Sequence, residues 1–302
     1  MRKILVILLL LVTGNAFAQI RIIVPFPPGG GADALARLMA PKLSELWKEQ
    51  VIVENKPGAS GHIGADFVAK SAADGKTLLM SSTASLTEKN VAQFAPVTLV
   101  SASPYVVVLS SKTKPNTIAE LIAYARANPG KLTFGSSGTG AASHLSAELF
   151  KSMAKIDLLH VPYKGTGQAT ADLLAGQIDL LFAPAQAVLS HVKAGKLKAL
   201  ATTGAKRPDT IPDLPTVAES GLPGYEAVGW FGLLAPAATP KSTVEKLSAD
   251  ANRVLADQEI RTRMQAVGAD PSGNTPDEFA RFIRDDQAKW AKLMREAGIK
   301  PE

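Results

Sequence analysis

Twice in this chain an apolar, strand-like run ends in a loop rich in glycine or serine and resumes as a helical pattern. The first instance is "RIIVPFPPGGGADALARLMA", residues 21–40, and the second is "LTFGSSGTGAASHLSAELF", residues 132–150. Glycine at Gly29, Gly30 and Gly31 permits backbone conformations closed to other residues and lets a ligand approach the peptide N–H groups closely. The helix that follows begins with unpaired N–H donors and a partial positive charge. An anion is the natural guest of such a turn. If the two turns face each other across a cleft, one anion is gripped from both sides.

The rest of the chain repeats the alternation of strand and helix, which predicts an α/β architecture with largely parallel sheets. Strands are expected at Ile20 to Val24, Val51 to Glu54 and Thr77 to Met80. Asp33 is expected to cap a helix that carries Leu35, Leu38, Met39, Leu43 and Leu46 on one face, with Pro41 kinking or splitting it. After the loop Asn55 to Gly61, a helix is expected from about Gly64 to Lys70. Centrally, strands are read at 132–134, 156–161, 178–182 and 198–202, and helices at 141–153 and 168–175. The C-terminal part reads as helices over 242–256, 259–266 and 275–297. Two long β-prone segments, residues 95–110 and 225–236, stand between these parts. If both cross between two lobes, lobe one is residues 19–100 plus 228–302 and lobe two is residues 101–227. Two crossings make a hinge, and the cleft beneath it is a favoured ligand site.

Residues 1–18 read as a secretory signal peptide: basic Arg2 and Lys3, an apolar run Ile4 to Val12, and a small-x-small site at Ala16-Phe17-Ala18. The expected location is therefore the periplasm, with a soluble mature protein. The 302 residues contain no cysteine, so neither a disulfide nor a thiolate metal site is available. The formal net charge of +6 is scattered and forms no Lys/Arg run suited to nucleic acid. "GSSGTG" and "GASGHIG" fit neither G-x-G-x-x-G nor the phosphate-binding G-x-x-x-x-G-K-[ST] pattern, which leaves a nucleotide cofactor unsupported. His62, His144, His160 and His191 show no paired metal-binding spacing. No cofactor and no metal are expected. A secreted α/β hydrolase using Ser137 is the enzymatic alternative, although G-x-S-x-G is absent.

Read together, "VIVENKPGASGHIGADFVAKSAADGKTLLM", "GSSGTGAASHLSAELFK", "VPYKGTGQATADLLAGQIDLLF" and "PDLPTVAESGLPGYEAVGWFGLLAPAATP" resemble the Bug (TctC-like) family. These are the extracytoplasmic solute receptors of tripartite tricarboxylate transporters. The resemblance spans nearly the whole mature chain. It implies a two-lobed Venus-flytrap fold of the class II periplasmic-binding type, with no catalysis. It further implies a small carboxylate ligand, membrane transporter subunits as partners, and a monomer. Carried onto this chain, the ligand-binding residues are Pro27, Gly29, Gly30, Gly31 and Ala32, then Ser81, Ser82 and Thr83. From the second lobe come Ser136, Ser137, Gly138, Thr139 and Gly140. Ala183, with Pro184, stands where the family commonly has an aspartate and a polar neighbour. The stretch "SLTEKNVAQF" also looks shorter than usual and lacks the customary Leu-Pro-Tyr-Asp-like segment. A receptor that feeds a signalling system is a further alternative.

Overall fold

The computed structural model of the chain describes residues 19–297. The signal-peptide reading of residues 1–18 lies outside the described residues. The first three strands are β1 (Ile20–Val24), β2 (Val51–Asn55) and β3 (Thr77–Ser81), paired in parallel with β1 in the middle. Between them run α1 (Gly31–Trp47) and α2 (His62–Ala69). β4 (Phe94–Ser110) is followed by α3 (Ile118–Ala127), β5 (Thr133–Ser136), α4 (Ala142–Ala154) and β6 (Leu159–Pro162). Then come α5 (Thr166–Ala175), β7 (Leu180–Pro184), α6 (Ala185–Lys193) and β8 (Leu197–Thr202). The chain finishes with β9 (Val228–Pro236), α7 (Lys241–Ala256), α8 (Gln258–Ala266) and α9 (Pro276–Ala297).

The strands follow the order β2-β1-β3-β9-β4-β7-β5-β6, with β8 also paired to β4. β4 is the member common to both halves. Its residues from Phe94 to Pro104 pair antiparallel with β9, whereas Tyr105 to Ser110 pair with β7 and β8. One lobe is thus built on β1, β2, β3, β9 and the start of β4. The other uses the end of β4 with β5 to β8. Each lobe has its own apolar interior: Ile22, Leu35, Met39 and Leu233 belong to the first, and Phe134, Leu145, Phe150 and Phe182 to the second.

α9 passes from one interior to the other. Phe279 and Ile283 pack with Trp230 in the first lobe, while Trp290 joins the cluster of Leu145 and Phe150 in the second. Between them Asp286 accepts hydrogen bonds from Trp230 Nε1 (2.8 Å), Trp290 Nε1 (2.8 Å) and Thr83 Oγ1 (3.1 Å). Burial pushes the Asp286 carboxyl up, and these three donors only partly offset it.

Three local expectations need correction. α1 is not split at Pro41 but continues as one helix to Trp47, because Leu35, Ala36, Met39 and Leu43 are fully buried along one face on both sides of the proline. Asp33 is not its cap: Gly30 occupies that position, and Asp33 sits in the first turn. Finally, α3 and α6 are helices that the sequence reading did not include. Among the described residues no helix is long and apolar enough to cross a membrane.

Candidate functional site

The two glycine-containing turns share one construction. Gly29 has φ +87°, Gly30 is the N-cap of α1, and Asp33 Oδ2 accepts the Gly29 N–H at 3.1 Å. Gly140 has φ +78°, Ala141 is the N-cap of α4, and His144 Nδ1 accepts the Gly140 N–H at 3.0 Å. In both, a left-handed glycine turns the chain, and a side chain four residues on secures its N–H. Side chains other than glycine rarely adopt that φ, which explains the residue at both places.

The acceptors differ in charge. Burial opposes ionisation of Asp33 most strongly. Hydrogen bonds from Arg37, Asn55 and Gly29 outweigh it and hold the carboxyl below the usual carboxylate range. Arg37 Nε lies 3.0 Å from Asp33 Oδ1 and Asn55 Nδ2 lies 2.9 Å from it, so the charge is spent inside the turn. His144 is neutral by contrast: burial, and secondarily Lys151, lower its pKa to about 4. That neutrality is what leaves Nδ1 able to accept. Its ring stacks on His160 with centroids 4.0 Å apart, and His160 Nε2 lies 2.7 Å from Ser136 Oγ.

The turns meet a third helix start. A Cβ added at Gly30 would lie 3.9 Å from Gly167 N, and one added at Gly167 would come within 2.7 Å of Pro28 O. A Cβ at Gly165 would come within 2.7 Å of Pro27 Cδ. The "KGTG" turn that opens α5 therefore closes directly over "PPGG", and the lobes touch through backbone.

Between them lies a small cavity of about 20 Å³. Gly30, Gly31 and Ala32 form one wall, and Ser82, Ser137 and Thr166 contribute hydroxyls. Phe26, Tyr105, Pro184 and Phe231 supply the apolar remainder. No charged side chain lines it. Such a space holds about one water, since each needs roughly 10–15 Å³.

Five of the residues singled out from sequence thus come together here: Gly30, Gly31, Ala32, Ser82 and Ser137. Thr83, Thr139 and Gly140 instead line a larger chamber behind the loops. Pro27 packs against Gly165, Gly29 turns the loop, and Gly138 lies against Ser60. Ser81 is buried and bonded to Ser85 Oγ at 2.9 Å, and Ser136 Oγ is held by His160 and by Gly138. Ala183 is a fully buried core residue of β7, paired with Val106. Within the second loop, the N–H groups of Ser137, Gly138 and Gly140 are already bonded to Ser143, Ser136 and His144. Hydroxyls, more than amides, are what this loop offers outward. Sequence reasoning missed Thr166, Tyr105, Phe231 and Phe26, and named Pro184 only as the neighbour of Ala183. Thr166 could have been found, because "YKGTGQAT" is a third strand, glycine turn and helix start. Among the described residues no group of His, Asp and Glu is placed to hold a metal ion.

The family model described as "Tripartite tricarboxylate transporter family receptor" matches residues 35–299. Protein BugT of Bordetella pertussis is 38% identical over 292 residues, covering 93% of this chain and 90% of that protein. Among solved structures, R. palustris Rpa4515 with adipate superposes with TM-score 0.90 at 34% identity, covering 94% of this chain and 98% of that one. MatC (Rpa3494) from Rhodopseudomonas palustris with bound malate gives 0.85 at 29% identity, covering 91% and 98%.

Proposed function

The chain belongs to the family of tripartite tricarboxylate transporter receptors, which are periplasmic solute-binding proteins and not enzymes, and from that premise we propose that it encloses a small carboxylate between its lobes and delivers it to the membrane subunits. The observation that carries this reading is the meeting of the α1 and α5 N-termini on one cavity lined by Ser82, Ser137 and Thr166. Partial positive charge, amide N–H groups and hydroxyls converge there without a cationic side chain. Each helix terminus is worth about 0.3–1 kcal/mol to an anion, and each hydrogen bond to a charged group about 1.5–3 kcal/mol. A handful of these supports binding near the micromolar level, about −8 kcal/mol, after association costs.

The ligand class follows from the site and from the adipate and malate carried by two similar proteins. Its carboxylate lies on Gly30 to Ala32 with Ser82. Ser137 and Thr166 cover it from the other lobe, and Ser81, Ser136, Gly138 and Gly140 support these contacts from behind. In this reading lobe one is residues 19–100 plus 228–302, lobe two is residues 101–227, the protein acts as a monomer, and residues 1–18 are removed on export. It engages no nucleic acid.

Thermal unfolding against a panel of mono-, di- and tricarboxylates tests the reading. A ligand at a hundred times its Kd stabilises the folded state by about 2.7 kcal/mol, several degrees in Tm for a chain of this size. Gly30→Val should fold and lose that shift, because the added branches stand between the helix start and Gly167. Absence of any shift across the panel would remove the carboxylate assignment.

A further inference from the structure

Behind the cleft loops lies a second cavity of about 250 Å³, separate from the one between the helix starts. Its floor is apolar: Leu86, Leu145 and Trp290 are almost fully buried, and Met294 packs beside them. Its rim is charged, with Glu88, Lys89 and Arg295 all exposed. None of these three side chains forms an ion pair or hydrogen bond with another described residue. The two cations outnumber the one acid. Protein interiors leave few voids larger than a water, so an apolar-floored space many times that size, open at a cationic rim, has the form of a binding pocket.

We propose that this chamber is a second ligand site, for a monocarboxylate with an apolar body of about ring size. The body lies on Leu86, Leu145, Trp290 and Met294, and the carboxylate stays at the rim with Lys89 and Arg295. A dicarboxylate binds it more weakly, because its first carboxylate takes Lys89 and Arg295 and its second meets only Thr83, Thr87, Thr139, Gln287 and the His62 ring. The walls come from the Thr83–Lys89 loop, from Thr139 and Gly140, and from α9, so the occupant touches both lobes and α9. It therefore favours the same closed arrangement as a ligand in the cleft, and the two bind with positive coupling.

The test is calorimetry with phenylacetate, using phenylacetamide as the neutral counterpart and succinate as the doubly charged one. Phenylacetate should bind the wild-type protein about tenfold or more tighter than phenylacetamide, and succinate should compete with phenylacetate only weakly. Ala291→Phe fills the chamber and should weaken phenylacetate at least about tenfold. The exposed pair Lys89→Gln with Arg295→Gln should do the same without disturbing the fold, so the proposal stays testable if the filled variant does not fold. Gly30→Val, which obstructs the cleft and hinders closure, should weaken phenylacetate only a few-fold, through the coupling, and should not abolish its binding. The chamber is refuted if phenylacetate does not bind, or if neither the filled nor the neutralised variant weakens it. It is refuted equally if Gly30→Val abolishes phenylacetate binding, which would place that ligand in the cleft and leave the receptor reading intact.

Discussion

His144 links the chemistry of one side chain to the shape of a site loop. Its neutral Nδ1 accepts the Gly140 N–H at 3.0 Å, and burial holds its pKa at about 4. Protonation would remove that acceptor and place a cation against the stacked ring of His160, which the Glu148 carboxylate 3.7 Å from Nε2 offsets only in part. The folded pKa lies below the ordinary value near 6.5, so the unfolded chain takes up the proton first. The histidine therefore costs no stability above about pH 6.5, and destabilises progressively as pH falls from there toward 4. By pH 4 the loss reaches about 3 kcal/mol, at 1.36 kcal/mol per pH interval. Asparagine supplies a non-titrating acceptor in place of Nδ1. Urea unfolding at pH 7 and pH 4.5 should show His144→Asn losing about 2 kcal/mol less than the wild-type protein between the two. Equal losses would mean that His144 does not govern this part of the acid sensitivity. Asp33, which does the equivalent job in the first turn, is held as the anion by Arg37 and Asn55 and should not titrate in that range.

At the level of elements, the N-terminus of α5 is where the lobes approach each other most directly, backbone against the Pro28 to Gly30 turn. Gly167 is inside the helix, yet a Cβ there would approach Pro28 O of the opposing loop to 2.7 Å. Gly167→Ala should therefore have opposite effects on two measurements. Alanine improves helix propensity, by up to about 1 kcal/mol in a helix interior and less near the end, so the ligand-free Tm should hold or rise. The same methyl group keeps the lobes apart, so dissociation of a cleft ligand in stopped-flow should quicken while association changes little. Unaltered dissociation would show that this contact is not needed for retention. The strands and the long amphipathic helices were legible in the sequence because their apolar periods are strong. α3 carries its own signal in the sequence: Thr117 caps it and Glu120 reaches back to Asn116, a T-x-x-E signature. The role of α5 was obscured because Gly165 to Gly167 reads as a plain loop, which moved its start to Gln168. Tyr105 and Phe231 carry no local signal at all. Tyr105 reaches the cavity where β4 changes pairing partner, and Phe231 reaches it from β9 opposite Ser101, properties of the sheet that no window of sequence contains.

At the scale of the whole molecule, the cavity between the helix starts decides how a ligand gets in. Its volume of about 20 Å³ leaves no room for a molecule the size of adipate, so the lobes must part for entry. β4, which changes partner between Pro104 and Tyr105, and the chain that enters β9 at Val228 are the two extended crossings between the halves. α9 is the stiffer connection: Phe279 belongs to one interior, Trp290 to the other, and Asp286 between them holds Trp230, Trp290 and the site-loop residue Thr83. If closure turns about this helix, the Asp286 clasp ties the position of Thr83 to both lobes. A compact chain of this length has a radius of gyration of about 19 Å. Small-angle scattering with a saturating carboxylate from the thermal panel should approach that value, and the ligand-free protein should be measurably larger. Asp286→Ala leaves the cavity lining untouched but strips three donors of their shared acceptor, at about 1–3 kcal/mol for each buried donor left unpaired. Its scattering should differ less between free and bound protein, because the ligand then positions one lobe without fixing the other. If wild type and variant contract equally, the clasp plays no part in closure, and if neither contracts, the lobes do not move on binding.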